Sequence, residues 1–161
     1  MARVRMLTVA IVAMVAVCTC GGGSTSPTTN STPTSNLLSV GGSYPTQVSL
    51  VAGQNTCGAV TIQDNVTTVT HTAGAHVLSL THVGNTYQGT VDDGGHFSTT
   101  PSTLSLGESQ FTIAISGQFS QTGFNATVKV DVKQPTAPLT CSYVVTWLGT
   151  KQGTPNTIPG S

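Results

Sequence analysis

Residues 109–133, SQFTIAISGQFSQTGFNATVKVDVK, decide how this chain folds. Phe111, Ile113, Ile115, Gly117 and Phe119 alternate with Gln110, Thr112, Ala114, Ser116 and Gln118. The pattern breaks at Ser120 and resumes after Gly123. Phe124, Ala126, Val128, Val130 and Val132 then alternate with Asn125, Thr127, Lys129, Asp131 and Lys133. Successive side chains of a strand point to opposite faces, so a period of two gives each half one apolar and one wet face. The short polar link makes the two strands an antiparallel hairpin.

Working outward, shorter strands precede the hairpin. Asp64-Asn65 turns residues 58–63 into 66–72, and Ala73-Gly74-Ala75 leads into 76–83. Gly84-Asn85 turns into 86–92, and Asp93-Gly94-Gly95 into 96–99. Each turn holds a residue that tolerates positive φ, as tight hairpins require. Residues 44–51 make a first strand and 140–148 a last one. Residues 101–107 read as the longest internal loop, and Pro135 and Pro138 mark the loop before the last strand. The fold class is therefore all-β, an antiparallel meander of about eight or nine strands. A closed up-and-down barrel is expected, with a β-sandwich as the alternative. Few strands carry edge-blunting charges, and closure removes edges altogether.

Composition agrees. Thr, Ser, Gly and Val dominate, which favours strands and turns, and charged residues are 6% of the chain against a usual quarter or so. Beyond the N-terminal leader the cations are Lys129, Lys133 and Lys151, opposed by Asp64, Asp92, Asp93, Glu108 and Asp131; the balance is 3 − 5 = −2 with neutral histidines. No basic patch exists, which excludes nucleic acid as an expected partner.

Arg3 and Arg5 form a short positive head, and residues 6–17 follow without a charge. That run matches a signal-peptide core and is too short to span a bilayer, which takes about 20 residues. Cys18, Cys20 and then Gly21-Gly22-Gly23-Ser24 come next. This resembles a bacterial lipoprotein signal, in which a cysteine after the apolar core becomes the lipid-carrying first mature residue. The resemblance implies lipidation at Cys20, with Cys18 as the alternative, although Thr19 and Val17 stand where the family prefers Gly, Ala or Ser. An ordinary secretory signal is the competing reading. The resulting organisation is a signal peptide over 1–20, a disordered Ser/Thr/Pro/Gly tether over 21–39, a barrel domain over 40–150 and a flexible tail over 151–161. The tether holds almost nothing apolar and cannot offset its ordering entropy by burial.

Cys57 and Cys141 lie in the folded part, and in an oxidising compartment a disulfide is the default, ahead of free thiols or a metal pair. The segments GNTYQGTVDDGGHFS (84–98) and ISGQF, GFNATV and CSYVVTWLGT (115–119, 123–128 and 141–150) resemble small exported barrels of the lipocalin-like or avidin-like kind. That resemblance implies a ligand cavity and no catalysis.

Candidate sites are few. Tyr143 and Trp147 share strand parity with Cys141 and would line an apolar pocket in a barrel open at one end. His71, His76 and His82, three of four histidines with His96, could bring imidazoles together for zinc, although solvated sheet histidines fit the spacing better. Asp92 and Asp93 suit a tight turn better than an acid/base pair with Glu108 or a calcium loop. No serine sits in a Gly-x-Ser-x-Gly setting. No catalytic residue and no cofactor is expected. The expected function is an exported, lipid-anchored, non-enzymatic barrel of the bacterial envelope. It would face the periplasm or cell exterior and bind a small apolar ligand or an envelope protein. A secreted or surface hydrolase and a histidine-based metal-binding module are the alternatives.

Overall fold

A computed structural model describes residues 36–134 and 140–160. Cys18, Cys20, Pro135, Pro138 and the signal and most of the tether lie outside the described residues. Nine strands form among the described residues: β1 (Gly42–Asn55), β2 (Asn65–His71), β3 (Val77–His82), β4 (Asn85–Val91), β5 (His96–Thr99), β6 (Ser102–Leu106), β7 (Ser109–Ser120), β8 (Gly123–Lys133) and β9 (Thr140–Thr150). No helix occurs among the described residues. All pairings are antiparallel.

The strand order is β5-β4-β3-β2-β1-β9-β8-β7-β6, and β5 also pairs with β7. That extra pairing closes an eight-stranded up-and-down barrel and leaves β6 as an added strand. β5 and β6 both lie along β7. His96 faces Gln118 and Ser102 faces Ile113, with Pro101 between them. Proline donates no ladder hydrogen bond, so the run breaks there. Beyond the break only β7 pairs with β6.

The hairpin that decided the fold has an unbroken register from Gln110↔Lys133 to Ser120↔Gly123. Phe124, Ala126, Val128, Val130 and Val132 are buried, and the residues between them are exposed. Gly117 allows close strand approach: a Cβ there would stand 2.1 Å from the Asn125 carbonyl oxygen.

Several expectations need correction. Residues 58–63 form no strand. They belong to a loop, 56–64, that returns from β1 to β2 across one barrel end. The residues expected to be the longest internal loop, 101–107, contain β6, because an unpaired stretch of β7 offered it a ladder. The β3–β4 turn is Val83-Gly84, and Asn85 already pairs with His82. Both turn residues have positive φ, 48° and 74°, the geometry a two-residue hairpin of matching twist requires. Valine is a poor residue for it, which hid the turn. Residues 151–160, expected as a flexible tail, pack: Asn156 and Ile158 are buried and Thr157 bridges to Ser39. The expected tether ends earlier than 39, since Leu38 is 1% exposed.

The strands' alternation in direction places two sets of connections at opposite ends. One end holds the start of β1, the turns β2–β3, β4–β5 and β7–β8, and the C-terminal residues. It is plugged. Phe97, Phe119, Phe124 and Tyr44 form a cluster with ring centroids 4.7–6.1 Å apart. Leu38, Val40 and Ile158 join the same buried core. The Tyr44 hydroxyl oxygen lies 2.6 Å from the Val40 carbonyl oxygen and 2.7 Å from Asn156 Oδ1. Asn156 Nδ2 donates to the Ser120 carbonyl at 2.8 Å. Burial pushes the Tyr44 hydroxyl up to about 12, against the smaller opposing effect of Asn156. Lys151 donates to the Gly41 carbonyl and lies 4.9 Å from the Tyr44 ring centre.

Candidate functional site

The opposite end is not filled. A cavity of about 430 Å³ occupies that half of the barrel, under the loop 56–64. Its volume follows from residue size. Val48 on β1, Val128 and Val130 on β8 and Val145 on β9 line it, whereas phenylalanines occupy the equivalent interior at the plugged end. Eight strands enclose either a packed interior or room for one small ligand, and here the valines stand beside Ile113, Tyr87, Tyr143 and Trp147 around an unfilled space.

Three aromatic groups give the cavity its chemistry. Trp147 is 6% exposed and stacks against the His82 imidazole, with ring centroids 4.1 Å apart and planes inclined by 32°. Tyr87 on β4 and Tyr143 on β9 share the lining. Burial raises the pKa of both hydroxyls, and at Tyr87 the nearby Tyr143 adds to the effect. Both are protonated at neutral pH. Ile62, partly buried, covers the cavity from the loop, while exposed Thr61, Gln63 and Val83 stand at its mouth.

The loop is held at both ends. Cys57 and Cys141 form a disulfide with Cα atoms 4.9 Å apart, as expected from the sequence. Beside it, Thr56 donates its N–H to the Ser142 carbonyl at 2.8 Å, and the Ser142 N–H donates to Thr56 Oγ1 at 2.9 Å. At the other end Asp64 Oδ1 accepts the Val48 N–H at 2.8 Å.

His82 is the one titratable group of the cavity besides the two tyrosines. Burial lowers its pKa from 6.5, so it is neutral at neutral pH. Its Nδ1 lies 2.9 Å from Thr67 Oγ1, which lies 2.8 Å from Thr46 Oγ1. Thr46 Oγ1 in turn donates to the Tyr44 carbonyl at 2.8 Å.

Of the residues singled out in the sequence, Tyr143 and Trp147 both line the cavity. His71, His76 and His82 are not brought together as a set of three. His71 ends β2 at the plugged end, where its Nε2 pairs with the Ala75 carbonyl at 2.8 Å. His76 precedes β3 at that same end and pairs with the Val91 carbonyl at 3.1 Å, while His82 closes β3 at the other end. No group of three or more His, Cys, Asp or Glu side chains among the described residues is placed to hold a metal, so the three-histidine zinc arrangement does not assemble. The physical reason is that a strand of six residues separates His76 from His82.

Asp92 caps the β4–β5 turn. The His96 N–H donates to its Oδ1 at 2.9 Å, and this bond above all lowers the carboxyl pKa. Its setting is that of a turn, as the sequence indicated. Glu108 belongs to the β6–β7 turn at the far end and forms no pair with it. Tyr87 is not singled out in the sequence, and His82 is read there as a metal ligand or a sheet histidine without a place in the cavity. The signal available for both was inward strand parity beside Leu80 and Val91.

No family model, curated protein or solved structure matches this chain.

Proposed function

We propose that this chain is an exported, lipid-anchored β-barrel protein of the bacterial envelope that holds a small apolar ligand and performs no chemistry on it. The observation that carries the reading is the cavity of about 430 Å³ walled by Val48, Val128, Val130 and Val145 and floored by Trp147. Pockets of this size, mostly apolar with a few placed polar groups, suit one small molecule. Its lining holds no serine, cysteine, aspartate or glutamate, which supports carriage over hydrolysis. The Cys57–Cys141 disulfide fits an oxidising compartment and so supports export.

Trp147 is the chain's single tryptophan and reports on the cavity directly. Titration with N-phenyl-1-naphthylamine, a neutral apolar fluorophore, is expected to give saturable binding with quenching of Trp147. Val130→Phe, which adds ring volume inside the cavity, is expected to weaken binding at least tenfold while circular dichroism stays that of the parent. Absence of saturable binding by the parent chain, or equal binding by a folded Val130→Phe variant, overturns the ligand-carrier reading. For the anchor, metabolic labelling with a fatty acid is expected to mark the full chain and not Cys20→Ser. Labelling that persists in Cys20→Ser and is lost in Cys18→Ser moves the site, and none in the parent removes the anchor.

A further inference from the structure

The polar chain behind His82 has a direction, and the direction determines which hydrogen-bonding face the imidazole offers the cavity. A carbonyl oxygen only accepts, so Thr46 Oγ1 spends its proton on the Tyr44 carbonyl and must accept in its contact with Thr67. Thr67 Oγ1 therefore donates to Thr46 and has no proton left for His82. The contact between Thr67 Oγ1 and His82 Nδ1 then requires Nδ1 to carry the hydrogen. In a neutral imidazole with a protonated Nδ1, the other nitrogen is a lone-pair acceptor.

That other nitrogen, Nε2, has no hydrogen-bond partner among the described residues, whereas buried side-chain nitrogens and oxygens sealed from solvent all have one. His82 lines the cavity and is 7% exposed, and an unpartnered Nε2 is not sealed from solvent. Thr46 and Thr67 are 2% and 0% exposed, so no water competes along the chain that sets the tautomer. The Tyr87 and Tyr143 hydroxyls can donate or accept, whereas Nε2 can only accept.

We infer that the cavity selects a neutral apolar molecule bearing one hydroxyl, an alcohol or a phenol, whose O–H donates to His82 Nε2. This rests on the cavity reading above and specifies its ligand class. An unpaired acceptor in an apolar site costs binding energy when a ligand lacking the hydroxyl excludes water from it. A carboxylate would set its charge against the imidazole lone pair, and an ether would leave Nε2 without a donor.

The test compares 2-naphthol with 2-methoxynaphthalene by Trp147 quenching at pH 7.5. The two share an aromatic body and differ in the hydroxyl proton. The parent chain is expected to bind the naphthol about tenfold tighter. His82→Phe is expected to bind both with similar affinity. Thr67→Val, which keeps His82 but frees its tautomer, is expected to shrink the preference, and Thr67→Ser to restore it. Equal binding of the two probes by the parent chain overturns the hydroxyl preference and leaves the cavity reading standing. A preference that survives in His82→Phe and in Thr67→Val assigns it to the tyrosines and overturns the role of His82. Failure of both probes to bind overturns the cavity reading and this inference with it.

Discussion

Severing the Cys57–Cys141 bond, in a Cys57→Ser/Cys141→Ser variant, separates what the disulfide does for the folded barrel from what it does for the unfolded chain. The bond spans a sequence separation of 84. In the chain-entropy description, closing such a loop removes about 15 cal/mol/K from the unfolded ensemble, or about 4.5 kcal/mol at 25 °C. In the folded protein the same junction keeps its backbone hydrogen bond from Thr56 to Ser142, the Ser142 N–H bond to Thr56 Oγ1 and its Asn55↔Tyr143 pairing. The loop 56–64 should therefore stay over the cavity, and most of the loss should arise in the unfolded state. Urea unfolding followed by Trp147 emission is expected to show stability lower by about 4 kcal/mol and a steeper m-value, as the uncrosslinked chain exposes more surface. Below its melting temperature the variant should bind N-phenyl-1-naphthylamine as the parent does. A loss under about 1 kcal/mol with unchanged slope, or a folded variant that no longer binds, would refute the reasoning. The second result would mean that the bond holds the native loop rather than restricting the unfolded chain.

Three further outcomes follow from other parts of the barrel. Val83, with φ of 48° and 61% exposure, sits where a β-branched residue is strained, so Val83→Asn is expected to raise stability by about 1 kcal/mol; a lower urea midpoint would show that the valine contributes packing at the cavity mouth. Gly117→Ala, whose methyl would meet the Asn125 carbonyl and the Ala126 Cα at 2.1 and 2.8 Å, is expected to cost about 3 kcal/mol or more, and a thermal midpoint within a few degrees of the parent would contradict the β7–β8 spacing. Because burial depresses the His82 pKa from 6.5, the unfolded chain binds more protons than the folded one just below that value. Its contribution to stability is therefore full above pH 6.5 and declines as pH falls from there toward the folded-state pKa. Tyr87 and Tyr143 are the other titratable groups lining the cavity. Urea midpoints between pH 7.5 and 5 should fall for the parent and less for His82→Phe; equal slopes would remove His82 as the cause.

Strand assignment was legible where each strand carried its own pattern. Residues 110–119 and 124–133 alternate strictly, and each inward residue finds its partner in the next strand. The turns at Asp92–Gly95 and Thr72–Ala75 were legible because their glycines supply positive φ, 81° at Gly95 and 78° at Gly74. The Val83-Gly84 turn was not, since valine is rarely placed there and tertiary closure overrode its preference. β6 was hidden for a related reason: S-T-L-S-L has the look of a loop after Pro101, and only the unpaired flank of β7 made it a strand. Residues 151–160 look polar and mobile in isolation, yet the open ring of Phe97, Phe119 and Phe124 gave Ile158 a place to bury and Tyr44 gave Asn156 a partner.

The sequence by itself determined an all-β meander, a pair of cysteines positioned to join the first third of the domain to its last strand, and an inward-facing Tyr143 and Trp147. These are local properties: a period of two, turn residues that accept positive φ, and side-chain parity along one strand. Only the tertiary structure decided that β5 meets β7 to close the barrel, that Tyr44, Phe97, Phe119 and Phe124 pack one end while valines with Tyr87, Tyr143 and Trp147 line a cavity at the other, and that Thr46, Thr67 and His82 align into one directed chain. Those features depend on residues from different strands meeting across the barrel, through registers that no single segment of the chain encodes.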